Sequence, residues 1–388
     1  MHTAINDDKA HADIASGSTI VFVVGGEFDS PMGFRARALA ARLAHSYSIS
    51  IVYCSQRKII SILRFFITLA RLRPRVSYVF DISYSGVMAA TFYRMILRNC
   101  LIIETGDAIV ELVRSTGSRG KVGLWLTQLL EKIALRCADR IVVRGSFHKE
   151  WLTRIGVAAD VIQDGVDTDT FKPANASELR KRYGLDGVMT VGLIGSSVWS
   201  EKLQMCYGWE LIEILRLLRG KAVKGIMIGS GSGISHLEAL CREYEIQDKM
   251  IFIGHVPYQE LPLYLNLIDV CLSTQTNNLV GQVRTTGKLP LYLAAGRYVL
   301  ASNVGEAARV LEKEMLVDYV GLKDQEYPQK LKARIEQLME QPKKLELGAR
   351  NIALARKYFD YGILASRMKQ VIEATLSARN AGSGGLSK

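Results

Sequence analysis

The feature that most constrains this chain is a strand-to-glycine transition that recurs along it. Residues 19–24 form a continuous apolar run of buried-strand length that stops at Gly25 and Gly26, and a helical pattern over residues 34–44 follows. A strand without polar alternation is buried on both faces, which calls for a parallel sheet covered by helices. Strand patterns at residues 49–53, 76–80, 101–103 and 140–143 alternate with helical patterns at 87–97 and 124–137 and predict a Rossmann-like unit.

The plan then restarts. After Phe171 and Pro173 comes a polar helical stretch at 177–183, and then a strand at 189–194 that ends at Gly195, Ser196 and Ser197. The run 223–228 ends at Gly229, Ser230 and Gly231, the run 250–253 ends at Gly254, and runs at 270–273 and 298–301 continue the series. A chain of 388 residues is too long for one ordinary core. The expected fold is therefore α/β, with two Rossmann-like domains facing a central cleft, over residues 18–170 and 171–358, and a flexible tail at 377–388. Ligands of such sheets bind outside the carboxyl ends of the strands, where these small residues cluster. The densest signal is Thr285, Thr286, Gly287 and Lys288, a turn feeding a helix that stops at Gly296 before a strand leads to Ala301 and Gly305. Turns of this kind present backbone N–H groups to phosphate, so the second half is the expected nucleotide site.

The net charge is +12. Arg57, Lys58, Arg64, Arg71, Arg73 and Arg75 flank and interrupt the apolar residues of 59–72, with no acid between Arg57 and Arg75. The segment is too short to span a bilayer. It reads either as an amphipathic helix settling on an anionic membrane surface or as a core helix with a solvated basic edge. No nucleic-acid module is present and aromatic residues are not interleaved with basic ones, so a nucleic-acid partner is not expected. The six cysteines are scattered without a C-x-x-C pair, which suits a reducing compartment. Residues 1–18 lack the basic and apolar regions of an export signal, and the expected location is cytoplasmic. His148, His236 and His255 lack metal-ligand spacing, and Ser146 and Ser230 lack triad partners, so no metal or other cofactor is expected.

Asp164, Gly165, Val166, Asp167, Phe171 and Pro173 resemble an interdomain segment usually written N-G-V-D-x-x-x-F-x-P, with Asp164 in the Asn position. The stretch from Ala138 and Asp139 to Ser146 is similar to the A-D-x-[VI]-x-x-x-S strand that precedes it. Both belong to the retaining glycosyltransferases of the GT-B fold, in particular the GT4 group with its glycosyltransferase family 1 type domain. The resemblance runs from about residue 20 to 372. It implies transfer of a sugar from a nucleoside diphosphate sugar to a hydroxyl of a glycan or lipid-linked acceptor, without a metal, at the cytoplasmic face of the membrane. It also implies a setting in bacterial-type cell-surface polysaccharide or glycolipid biosynthesis, and a helix at 359–376 that returns to the first domain.

The family's diphosphate loop, G-R-x-x-x-x-K-G, maps onto Gly195 to Lys202, with Ser196 where Arg is usual and Lys202 as the cation. Gly229, Ser230 and Gly231 resemble its G-x-G turn, and Phe252, Gly254, His255 and Val256 its F-x-G-x-V strand, whose backbone meets the base. Its E-x7-E positions fall on Val283 and Leu291, neither of which hydrogen-bonds a sugar. Thr285, Thr286 and Gly287, with Arg284 and Lys288, are the substitutes at the diphosphate. In the first domain Gly25 and Gly26 are donor-side, Gly33 and Arg35 acceptor-side, and Glu104 and Asp107 follow a strand where relatives carry a His beside the reacting sugar. Lys202, Lys288 and Asp107 are the expected catalytic set; Asp107 reads equally as a helix N-cap. A non-catalytic binding partner, given Val283, Leu291 and Ser196, and a sugar-nucleotide epimerase are the two other readings open on this architecture.

Overall fold

A computed structural model describes residues 20–54 and 58–383. Arg57, the amino-terminal residues 1–18 and the last residues of the expected tail lie outside them. The chain divides into two compact units. The first holds residues 20–114, 118–163 and 361–383; the second holds Asp164–Asp360 with Ser115–Gly117.

The first unit runs β1 (Ile20–Val24), α1 (Pro31–Leu43), β2 (Ile49–Tyr53), α2 (Lys58–Leu72), β3 (Val76–Phe80), α3 (Tyr84–Leu97) and β4 (Cys100–Thr105). It continues with α4 (Ile109–Thr116), α5 (Lys121–Cys137), β5 (Arg140–Val143), α6 (Ser146–Arg154) and β6 (Ala159–Val161). Its sheet is parallel, in the order β2-β1-β3-β4-β5-β6. All of β1 is buried, as a strand covered on both faces must be. Ser30 caps α1 by accepting from the Gly33 N–H, with Pro31 at the first helical position, and Ser83 caps α3 in the same way through Gly86.

The second unit runs α7 (Ser177–Arg182), β7 (Met189–Ile194), α8 (Trp209–Leu217), β8 (Val223–Ile228), α9 (Ile234–Glu243), β9 (Met250–Gly254) and α10 (Leu261–Leu265). Then come β10 (Val270–Ser273), α11 (Leu279–Val283), α12 (Lys288–Ala294), β11 (Tyr298–Ser302), α13 (Ala307–Val310), β12 (Leu316–Val317), α14 (Tyr327–Glu340) and α15 (Asn351–Tyr358). This sheet is also parallel, in the order β12-β11-β10-β7-β8-β9. The last helix, α16 (Tyr361–Ser383), belongs to the first unit and buries Tyr361, Leu364, Met368 and Ile372 in the core layer that α1 also covers.

Two boundaries differ from the sequence reading. The division falls at Gln163/Asp164 rather than after residue 170, because Val166 and Phe171 are buried in the second core and the Val166 N–H donates to Phe359 O at 2.9 Å. Helix α16 continues to Ser383, past the expected start of a tail at 377. Among the described residues, no helix is long and apolar enough to cross a membrane.

Candidate functional site

In the second sheet the chain moves outward from β7 to β9 on one side and from β10 to β12 on the other, so the strand order reverses between β7 and β10. The crevice at the carboxyl end of such a reversal is where open α/β sheets take ligands. Gly195 follows β7 there, and Thr274 and Gln275 follow β10. Into the same place α12 sends its first residue, Lys288. Its ammonium lies 3.4 Å from the centroid of the Tyr207 ring, and a Cβ on Gly195 would sit 3.7 Å from Nζ.

Burial pushes Lys288 down to about 7; the Glu210 carboxylate opposes the fall and Arg284 adds to it. Glu210, in the first turn of α8, is 1% exposed, and burial raises its own pKa. Two tyrosines brace the lysine's surroundings. The Tyr207 hydroxyl donates to Leu272 O at 3.2 Å, and the Ile194 N–H donates to the Tyr292 hydroxyl at 2.8 Å, which fixes the ends of β10 and β7. A lysine poised between its charge states becomes fully charged when an anion arrives. In a crevice of low dielectric that charge attracts an anion more strongly than it would in water.

The glycine turns around this point are packed backbone to backbone. A Cβ on Gly229 would lie 2.0 Å from Gly195 O, and one on Gly231 2.0 Å from Ser197 O; both glycines have strongly positive φ, 140° and 145°. The approach lets the sheet pairing run on past the strands: Gly195 N–H donates to Ile228 O, Ser197 N–H to Ser230 O, and Gly229 N–H to Gly254 O. Those three amides, expected at a phosphate, are therefore spent on neighbouring carbonyls. Ser197 is likewise structural, being fully buried with its hydroxyl donating to Tyr207 O at 2.7 Å. Ser196, Ser230, Gly231 and His255 are exposed, and Gly254 and Val256 half-buried, at the same edge.

Lys202 stands elsewhere than the motif implied. It lies on an exposed turn within the long connection from β7 to α8, and the glycine that caps α8 is Gly208, preceded by Tyr207. The spacing of the sequence motif thus ends early, and it is Lys288, from another helix, that stands over the residue before the capping glycine. Thr285 and Thr286 are half-buried and Gly287 exposed. The Thr285 hydroxyl donates to the Asp164 carboxylate at 2.7 Å, which gives the unusual Asp164 an acceptor's task within its own unit. Gln275 pins the same loop by donating to Gly281 O and Arg284 O. Val283 is fully buried and Leu291 packs against the core.

In the first unit, the acceptor-side expectation for Arg35 and Glu104 needs correction. They are 2% and 0% exposed, and Arg35 Nε donates to Glu104 Oε1 at 2.9 Å. The remaining guanidinium donors reach Ile162 O and Gln163 O, and the Tyr78 hydroxyl donates to the other Glu104 oxygen at 2.7 Å. Buried charges this well satisfied hold strand and helix together and present nothing to a ligand. Arg144 lies 3.7 Å from Glu104, pairs with Asp81, and covers Gly106 so closely that a Cβ there would meet its guanidinium at 2.1 Å. Gly33 is also committed, since a Cβ would lie 2.3 Å from Phe28 O. Gly25 and Gly26 are half-buried against Ser83 and Ser30, and Asp107 is half-buried after β4. Neither Arg144 nor His148, which burial lowers to about 4, carries a sequence signal of its own. Among the described residues, no group of three or more His, Cys, Asp or Glu is placed to hold a metal ion.

Two parallel, doubly wound six-stranded sheets in one chain define the class: this is the fold of the GT-B glycosyltransferases. HepE of Anabaena, solved with UDP and glucose, superimposes with a TM-score of 0.69 over 92% of this chain and 100% of its own, at 15% identity. Residues 190–341, all within the second unit, match the family model described as glycosyl transferases group 1. A 2-deoxystreptamine glucosyltransferase of Streptomyces kanamyceticus is 29% identical over 38% of this chain and 37% of its own length. A GDP-mannose-dependent α-(1-6)-phosphatidylinositol monomannoside mannosyltransferase of Mycobacterium tuberculosis (strain CDC 1551 / Oshkosh) is 32% identical over 42% of this chain and 44% of its own. The chain thus matches less than half the length of these curated relatives.

Proposed function

We propose that this protein is a glycosyltransferase of the GT4 type, a hexosyltransferase that moves a sugar from a nucleoside diphosphate sugar to a hydroxyl of a glycan or lipid-linked acceptor. The observation that carries the reading is Lys288, held beside Gly195 at the strand reversal of a group 1 glycosyl transferase domain. Its ammonium is the cation we assign to the leaving diphosphate, and the loop of Thr285, Thr286 and Gly287 supplies neighbouring donors. With that charge in place the transfer proceeds without a metal. Of the two carboxylates at the carboxyl end of β4, Glu104 within it and Asp107 after it, Asp107 is the one left to meet the acceptor, since Glu104 is locked in the core. The acceptor attacks from the face that the diphosphate leaves, with retention of configuration. The GDP-mannose of the mycobacterial relative and the UDP bound by HepE support the donor class. The phosphatidylinositol mannoside of that relative supports a lipid-linked acceptor at the cytoplasmic face of the membrane, in cell-surface glycolipid or polysaccharide synthesis, while the 2-deoxystreptamine in the other relative's name is not a lipid.

The test is a thermal-shift screen against UDP-, GDP-, dTDP- and ADP-sugars in the presence of EDTA. Stabilisation by sugars of one base, followed by transfer to acceptor, is expected. The absence of any shift would favour a non-catalytic partner, the reading to which the buried Val283 at a glutamate position lends weight. An altered sugar with no acceptor requirement would identify an epimerase.

A further inference from the structure

Helices α2, α3 and α5 form one layer over the first sheet, burying Phe65, Leu69, Val87, Tyr93, Leu130 and Ala134 beneath them. The layer is continuous: the Phe66 and Phe92 rings lie 5.2 Å apart, and the Tyr84 and Thr127 hydroxyls 3.3 Å apart. With the inner faces supplying the core, the outer faces should be polar. They are not. On α2, Ile60, Leu63 and Ile67 are exposed at helical spacing; on α3, Met88, Phe92 and Met95; on α5, Val122, Trp125 and Leu129. Leu63 is 61% exposed, Phe92 54% and Trp125 59%. Three neighbouring helices with apolar outer stripes mark a surface that something covers.

Charge says what covers it. Neither α2 nor α3 contains an acidic residue, and the one acid of α5, Glu131, turns its carboxylate to the Ile109 N–H at 3.1 Å. Exposed basic residues border the apolar stripes: Arg64, Arg71, Arg98, Lys121, Lys132 and Arg136. A second copy of this chain would bring these cations against one another. An anionic lipid surface matches both the apolar stripes and the cations at their edges. Tryptophan in such a position sits at headgroup depth, with an apolar body and a polar tip.

We propose that the outer face of α2, α3 and α5 docks on an anionic phospholipid bilayer, lying in its interface without crossing it. This deepens the proposed transfer, resting on its lipid-linked acceptor for its meaning but not for its test, which needs no donor. Co-sedimentation with phosphatidylcholine vesicles, with and without phosphatidylglycerol, should show binding only to the anionic ones, weakened by salt. Tryptophan emission should shift to the blue on binding, and Trp125→Phe should remove that shift while binding persists. The pair Leu63→Glu with Phe92→Glu should weaken binding by roughly a hundredfold, two tenfold steps. Both positions are exposed, so the variant's thermal shift with nucleotide sugar should match the parent's and show that it is folded. Equal binding by parent and variant, or no binding by the parent, would overturn the proposal. Self-association abolished by the same pair would assign the face to a second copy instead. A failure here leaves the donor reading standing, because the thermal-shift screen decides that separately.

Discussion

Lys288 owes its charge state to what surrounds it. In an unfolded chain its ammonium titrates near 10.5, and in the folded protein burial lowers it to about 7. The sign follows. Between these values the unfolded state holds the extra proton, so stability rises with pH across that window, and below 7 both states are charged and the slope vanishes. Donor binding runs the other way, because the diphosphate needs the ammonium, and affinity should fall as the pH is raised above 7. Lys288→Met keeps the shape of the side chain and discards the charge. The variant should be as stable as the parent or more so at neutral pH, lose the rise in urea midpoint between pH 6 and 9, and lose turnover by about 3 kcal/mol, on the order of a hundredfold. Lys202→Ala, on an exposed turn, should change turnover far less. An effect of equal size at both lysines would return Lys202 to the site. The lysine was legible in the sequence as the residue after a glycine turn. Its partners Tyr207 and Glu210 were not, since they follow a connection with no periodicity; nor, in the first unit, was the Arg35–Glu104 pair, which joins residues 69 positions apart.

At the scale of elements, continuous apolar runs were enough to place most strands of both sheets, because a strand buried on both faces has no polar residue to blur it. The shortest strands, β6 and β12, at three and two residues, were missed for want of any pattern to read. The glycine turns were legible as turns, but what they do was not. Sequence suggested amides turned to a ligand, and the structure uses Gly195, Ser197 and Gly229 to carry the pairing of β7, β8 and β9 beyond their ends. Close approach of two backbones is a property of folded geometry, and no local spacing encodes it. Gly231→Ala tests the point. The new Cβ would meet Ser197 O at 2.0 Å, and a φ of 145° is closed to alanine, so the two loops must part. Urea denaturation should show a loss of about 2 kcal/mol or more, and nucleotide-sugar binding should weaken with it. A variant with the stability and affinity of the parent would show that the loops do not need this contact.

Across the whole molecule, each unit closes a core of its own, and the residues assigned to the diphosphate all lie in the second. A ligand stabilises whatever it binds, by about 2.7 kcal/mol at a hundred times its dissociation constant. For a unit of this size that is a rise of roughly 5–10 °C in melting temperature. Tryptophans report the two units separately, Trp125 and Trp151 from the first and Trp199 and Trp209 from the second. A Trp125→Phe/Trp151→Phe variant should therefore follow the second unit alone, and Trp199→Phe/Trp209→Phe the first. Trp209 is buried, so the second variant's far-ultraviolet spectrum must first match the parent's. With nucleotide sugar added, the melting curve seen by Trp199 and Trp209 should move up by that amount while the other stays. If both move together, the first unit also gains free energy from the donor, and Gly25 and Gly26 regain the donor-side part that their sequence suggests. If only the first moves, the donor site is not where Lys288 stands, and the assignment of the diphosphate to this lysine fails.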